Sequence, residues 1–174
     1  LFDGNGKLSY SNGAVYQGEW VKGKRHGKGN LTTTNNWNYF GDWSEDIPQG
    51  KGKMIFADSG IYEGEWLEGA MHGKGIFIFS NGSIYEGEWK NNIRNGKGIM
   101  TNPDNEIYEG DWTDDKMHGR GKLITKNGTI YEADWKEGHP QGIIKMTFPN
   151  GLVYEYEEID GKKPTKGKII FPDG

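Results

Sequence analysis

In residues 61–66, Ile61-Tyr62-Glu63-Gly64-Glu65-Trp66, apolar and small side chains alternate with acidic ones at a period of two, which predicts a strand with one face turned from water. A glycine-rich stretch to Gly73 reads as a loop. Gly75-Ile76-Phe77-Ile78-Phe79 then reads as a second strand, rich in β-branched and aromatic residues. It ends at Asn81-Gly82, a pair suited to the positive φ angles of a two-residue type I′ hairpin turn. Asn12-Gly13, Asn127-Gly128 and Asn150-Gly151 repeat the signal, with Asp58-Ser59 and Asp104-Asn105 as weaker versions. The pattern predicts a string of β-hairpins.

That string is strictly periodic. Tyr16, Tyr39, Tyr62, Tyr85, Tyr108, Tyr131 and Tyr154 recur every 23 residues, followed four residues later by Trp20, Trp43, Trp66, Trp89, Trp112 and Trp135. Glycines recur two and eleven residues after each tyrosine, until Ala133 and Tyr156 break the first series and Thr165 the second. A fixed period of this length marks a repeat architecture. The chain therefore divides into a partial unit (1–15), six full units (16–38, 39–61, 62–84, 85–107, 108–130, 131–153) and a terminal unit (154–174) degenerate at Tyr156, Glu158, Pro164 and Thr165. The expected fold class is all-β, an elongated single-layer twisted antiparallel sheet of repeated 23-residue β-hairpins with fifteen strands. Leu1 enters halfway through a unit, so a longer parent protein is expected.

The site fifteen residues after each tyrosine is always apolar: Leu31, Met54, Phe77, Met100, Leu123, Met146, Ile169. Placing it opposite the strand glycine sets tryptophan opposite Gly29, Gly52, Gly75, Gly98 or Gly121, with a ring over bare backbone. On the other face Glu63 and Glu65 then lie beside Ile78 and Ile76, and Asp42 pairs with Lys53 and Asp111 with Lys122.

Composition narrows the classes. The 174 residues include 29 glycines, 23 aromatic residues and no cysteine, and only 33% are hydrophobic. A chain rich in both glycine and aromatics is neither disordered nor built around a deep core. Stacked repeats, which bury only against their neighbours, suit it. No apolar run approaches a membrane span or a signal peptide, so a soluble chain is expected. A net charge of −4 argues against nucleic acid.

Candidate chemistry is sparse. Glu63 and Glu65 project to one face about 7 Å apart, a spacing usable for acid/base hydrolysis, but near copies occur in most units, which marks a structural ladder. His26, His72 and His118 share one repeat site and stand four strands apart, about 19 Å, too far for one metal ion. They are expected to be loop side chains that hydrogen-bond the turn. The Gly-Lys-Gly runs lack the serine or threonine and the helix of a phosphate loop. Their cations Lys28, Lys51, Lys74, Lys97 and Arg120 form a row able to touch anionic lipid headgroups, opposed by acidic neighbours. The aromatic face, Tyr16, Trp20, Tyr39, Trp43, Tyr62, Trp66, Tyr85, Trp89, Tyr108, Trp112, Tyr131 and Trp135, is the leading candidate for protein binding, since an open apolar strip marks an interaction site. Catalytic residues, metal ligands and cofactors are expected to be absent.

The pattern Tyr62-Glu63-Gly64-Glu65-Trp66, Gly69, His72-Gly73-Lys74-Gly75 and Asn81-Gly82 resembles the MORN (membrane occupation and recognition nexus) repeat over nearly the whole chain. Families similar in this way include junctophilins, plant phosphoinositide kinases, radial-spoke head proteins and protozoan cytoskeletal scaffolds. The resemblance implies a non-enzymatic scaffold in a cytoplasmic, cytoskeletal or ciliary assembly that binds a helix, an extended peptide or a second copy of itself. The alternative it implies is a peripheral membrane or phosphoinositide module, attached to a catalytic domain elsewhere. Neither nucleic acid nor a small-molecule substrate is expected.

Overall fold

The computed structural model describes residues 1–158 and 166–172. Fifteen strands lie side by side in chain order in one antiparallel sheet, with no helix among the described residues. Strand β1 (Gly4–Ser9) leads into the hairpins β2–β3 (Val15–Val21, Lys24–Thr32), β4–β5 (Asn38–Ser44, Ile47–Ile55) and β6–β7 (Ile61–Leu67, Ala70–Ile78). Then come β8–β9 (Ile84–Lys90, Ile93–Thr101), β10–β11 (Ile107–Thr113, Lys116–Ile124), β12–β13 (Ile130–Lys136, His139–Thr147) and β14–β15 (Val153–Glu158, Gly167–Ile170). The chain forms two compact units, Leu1–Gly82 with Glu88–Ile93, and Ser83–Gly87 with Arg94–Gly174. Pro164 and Thr165, read as part of the degenerate terminal unit, lie outside the described residues.

The two kinds of turn exchange the places the sequence suggests. Both central residues have positive φ at Lys22-Gly23, Glu45-Asp46, Glu68-Gly69, Asn91-Asn92, Asp114-Asp115 and Glu137-Gly138, as a type I′ turn requires. The glycine-rich loop expected between the two strands of a unit is therefore this tight turn plus the first residues of the second strand. At Asn12-Gly13 only Gly13 is left-handed, and Tyr10 closes the loop by donating its N–H to the Ala14 carbonyl while accepting from Gly13 N–H. That is a three-residue loop with a glycine bulge, and Asn127-Gly128 and Asn150-Gly151 repeat it.

The register is also corrected. Tyr16 faces Leu31, Tyr39 faces Met54, Tyr62 faces Phe77 and Tyr108 faces Leu123, so glycine faces glycine at Gly18/Gly29, Gly41/Gly52, Gly64/Gly75 and Gly110/Gly121. Beyond each glycine pair the second strand holds two extra residues, and Glu19 faces His26. The bulge is built at Gly27, Gly73 and Gly119, whose φ of 55–56° a side chain rarely adopts. Tryptophan does face a glycine, but across the preceding hairpin: Trp43 opposite Gly27, Trp66 opposite Gly50, Trp112 opposite Gly96. The charged pairs shift with it. Lys53 faces Phe40 and Lys122 faces Glu109, Glu63 stands opposite Ile76 and Glu65 opposite His72. Asp42 and Asp111 bridge instead to Lys28 and Lys97 on the strands before them.

Candidate functional site

The repeated tyrosine and tryptophan form the core of this one-layer sheet. Tyr39 and Tyr62 are each wedged between the tryptophan of their own strand and the next one: Tyr39 lies 5.0 Å from Trp43 and 5.3 Å from Trp66, Tyr62 5.2 Å from Trp66 and 5.5 Å from Trp89, all edge to face. In the second unit Tyr108 sits in the same way between Trp112 and Trp135, at 5.2 and 5.3 Å. This geometry suits the ring quadrupoles. The tyrosine hydroxyl donates into the bulge, to the carbonyls of Glu19, Asp42, Glu65 and Asp111 at 2.9–3.1 Å. Each indole Nε1–H donates to a glycine carbonyl fourteen residues back, as from Trp66 to Gly52 at 3.0 Å.

These rings are consequently covered. Tyr16, Tyr39, Tyr62 and Tyr85 are 0% exposed and the six tryptophans at most 5%. Tyr108 is buried as well, and Tyr131 half-buried. The expectation of an open apolar strip made by these rings is corrected: they are spent on one another, because the register interleaves successive hairpins. Arg25 and Arg94 add lids, their guanidinium groups 4.3 Å above Trp43 and 4.4 Å above Trp112, each held by Asp46 or Asp115 of the next turn. What stays accessible on this face in the first unit is a cluster that joins the always-apolar site of two repeats to the phenylalanines two residues beyond it. Met54, Phe56, Phe77 and Phe79 are all half-exposed, with ring centroids 5.4 Å apart for Phe56–Phe77 and 4.5 Å for Phe77–Phe79. Phe56 and Phe79 fall outside the invariant positions; the one signal for them was aromatic residues ending the second strand.

The acidic ladder has a structural task. The carboxylates of Glu19, Asp42, Glu65 and Asp111 accept the backbone N–H of Lys28, Lys51, Lys74 and Arg120 in the bulge, at 2.8–3.3 Å. Burial alone would raise the Asp42 carboxyl, yet Lys28 and the Lys51 N–H outweigh it and hold it below the usual carboxylate range. The histidines lie on strands, not in loops. Their carbonyls, not their side chains, serve the turn, by accepting the Tyr16, Tyr62 and Tyr108 hydroxyls at 3.3–3.5 Å. Nδ1 of His26, His72 and His118 is buried without a hydrogen-bond partner among the described residues. No three metal-ligating side chains converge among the described residues.

Four members of the cation row have an acid beside their side chain, and the fifth, Lys74, donates its backbone N–H to Glu65. Lys28 and Lys97 bridge to Asp42 and Asp111, Arg120 reaches Asp134 at 4.0 Å, and Lys51 faces Glu65. At these exposed distances the opposite charges largely cancel the field a headgroup would feel. Flotation with phosphoinositide-containing liposomes at physiological salt should accordingly leave the purified array in the protein fraction. Flotation abolished by Lys51→Gln, Lys74→Gln and Lys97→Gln together would overturn that expectation.

The architecture has known counterparts. The TCP domain of SAS-4 (dCPAP) of Drosophila melanogaster, solved in complex with a proline-rich motif of Ana2 (dSTIL), is similar at a TM-score of 0.50 and 10% identity, covering 95% of this chain and 88% of that one. The G-box domain of the microcephaly protein CPAP, whose structural analysis suggests a role in centriole elongation, is similar at a TM-score of 0.50 and 13% identity, covering 97% and 99%. At such identities the likeness is one of fold. No curated protein sequence matches the chain. The MORN repeat, by contrast, matches seven times in succession, over residues 1–15, 16–37, 39–61, 62–84, 85–107, 108–130 and 131–153, and the chain belongs to the MORN repeat family.

Proposed function

We propose that this chain is a non-enzymatic scaffold that holds a protein partner, a helix or an extended peptide, against the aromatic face of its sheet within a cytoskeletal or ciliary assembly. The observation that carries the reading is the division of that face. Tyrosine and tryptophan are consumed by the array's own packing and act as a stiff floor, while Met54, Phe56, Phe77 and Phe79 form an apolar surface that this packing leaves half-exposed. Glu19, Asp42, Glu65 and Asp111, the second acids of their pairs, are held by backbone N–H groups in the bulges. A likeness of fold to a TCP domain found in complex with a proline-rich motif supports peptide binding, and the likeness to a CPAP domain connected with centriole elongation supports the cytoskeletal setting.

The test uses a partner recovered by in-cell crosslinking and then reconstituted from purified components. The double variant Phe56→Asp/Phe79→Asp should bind it at least about tenfold more weakly, since the patch supplies the desolvated contact. Its melting temperature should stay within about 3 °C of the parent, because neither ring is fully buried. Equal binding by the variant and the parent would sink the assignment of this face.

A further inference from the structure

The opposite, charged face is not uniform along the array. In the second unit, Glu109, Lys122, Glu132, Lys145, Glu155 and Lys168 stand opposite one another in succession across β10–β15, an alternation of acid and base. The same row across β1–β5 reads Lys7, Gln17, Asn30, Phe40, Lys53, with no carboxylate. Beside it lies a trough of about 590 Å³, floored by Gly6, Gly18 and Gly29 and walled by Asn5 and Lys28 on one side and Lys7, Gln17 and Asn30 on the other. Asn5, Lys7, Gln17 and Asn30 are exposed, and their side chains make no hydrogen bond or ion pair among the described residues. The nearest carboxylates are spent: Glu19 on the Lys28 N–H, Asp42 on Lys28 and the Lys51 N–H, Glu63 on Lys53. Phe40, half-exposed, stands where five later units carry glutamate.

We infer that this face of β1–β4 is a docking site for an extended proline-rich peptide lying across the strands. Each of its unspent polar groups can donate, three amides and one ammonium, and a half-exposed aromatic ring stands next to them. That set suits an occupant with many carbonyls and few N–H groups, which is the chemistry of proline-rich sequence, while the Phe40 ring offers a flat surface to a pyrrolidine. The spacing agrees. A polyproline II helix repeats every three residues at a rise of about 3.1 Å, roughly 9.3 Å per turn, and every second strand is about 9.6 Å away. Successive turns of the peptide therefore meet Gln17 and Phe40, or Lys7 and Asn30, in phase. Fixed in its conformation before binding, such a peptide loses little entropy on this open surface. The inference rests on the reading of the chain as a binding platform, though not on the phenylalanine patch of the other face.

Fluorescence anisotropy with a labelled peptide of about nine residues, three polyproline II turns of Pro-Pro-Gln, tests it. Binding to the whole chain is expected, weakened at least about tenfold by Phe40→Glu and by Gln17→Glu/Asn30→Lys. Both variants write the acid-base pattern of the later repeats into the early ones, so the fold is kept, as an unchanged melting curve would verify. The Phe56→Asp/Phe79→Asp variant should bind the peptide as the parent does, which separates this site from the proposed partner face. Absence of binding would overturn the inference, as would equal affinity for a Gly-Gly-Gln peptide, insensitivity to Phe40→Glu, or preference for a Pro-Pro-Glu peptide.

Discussion

Replacing Gly64 with alanine should destabilise the array by about 3 kcal/mol, lowering its melting temperature by roughly 6–12 °C, for a single added methyl group. A Cβ at Gly64 would stand 2.5 Å from the Gly75 Cα and the Tyr62 hydroxyl and 2.7 Å from the Lys74 carbonyl oxygen. Two of those three atoms are backbone and cannot turn aside. The third belongs to a fully buried ring whose hydroxyl is committed to the bulge. The sequence holds its own control. In the unit where the glycine pair becomes Ala133 and Ile144, Ile144 is 0% exposed and Tyr131 is only half-buried. Side chains at that pair and a tyrosine sunk beneath it exclude one another. Denaturant and thermal unfolding would check the value, and a loss under about 1 kcal/mol would show that the strands part easily at the glycine row.

The second large effect is alkaline. Burial raises the phenols of Tyr16 and Tyr108 to about 12 and those of Tyr39 and Tyr62 higher still. Asp42, Glu65 and Asp111 push their neighbouring tyrosines the same way, and Arg25 offsets part of the effect at Tyr16. Because the folded state prefers the neutral phenol, these groups contribute their full stability below the ordinary value of 10.0 and lose it as the pH climbs toward 12. The melting temperature should hold level to about pH 9.5 and then fall by more than about 10 °C by pH 12. The phenolate absorbance of the core tyrosines should rise together with the loss of strand signal. A smooth titration centred near 10 with the sheet intact would mean that the rings are reached by solvent without unfolding.

Much of this fold was legible because nothing interrupts the spacing of Tyr16, Tyr39 and Tyr62: a constant period with alternating polarity fixes both the strands and their order. The turns were harder. Asn12-Gly13 satisfies either a two-residue turn or a glycine-bulge loop, and the true two-residue turns, such as Glu45-Asp46, share no common pair. Gly27 and Gly73 looked like loop residues because a bulge and a loop ask the same thing of glycine, a left-handed φ. That bulge then moves the register by two residues for every pair on its far side from the turn. The fate of the aromatic rings followed from the register alone. Nothing in the spacing of Tyr62 and Trp66 says that Trp89 will close over Tyr62 from the next hairpin. Phe40 departs from the repeat, and Phe56 and Phe79 share a repeat site that is aromatic in only some units, so a constant period draws attention to none of the three.

The backward reach of each indole also governs how the protein bears load. Trp43 is tied to Gly29, Trp66 to Gly52 and Trp135 to Gly121, so the hairpins from β4–β5 to β12–β13 are each riveted to the one before, and β14–β15, with Glu158 at the tryptophan site, lacks that rivet. Under tension along the chain such an array gives way in discrete steps, each freeing about 80 Å of slack as 23 residues straighten. The hairpins not yet pulled open keep their rivets, and an extensible strap of this kind can lengthen without coming apart.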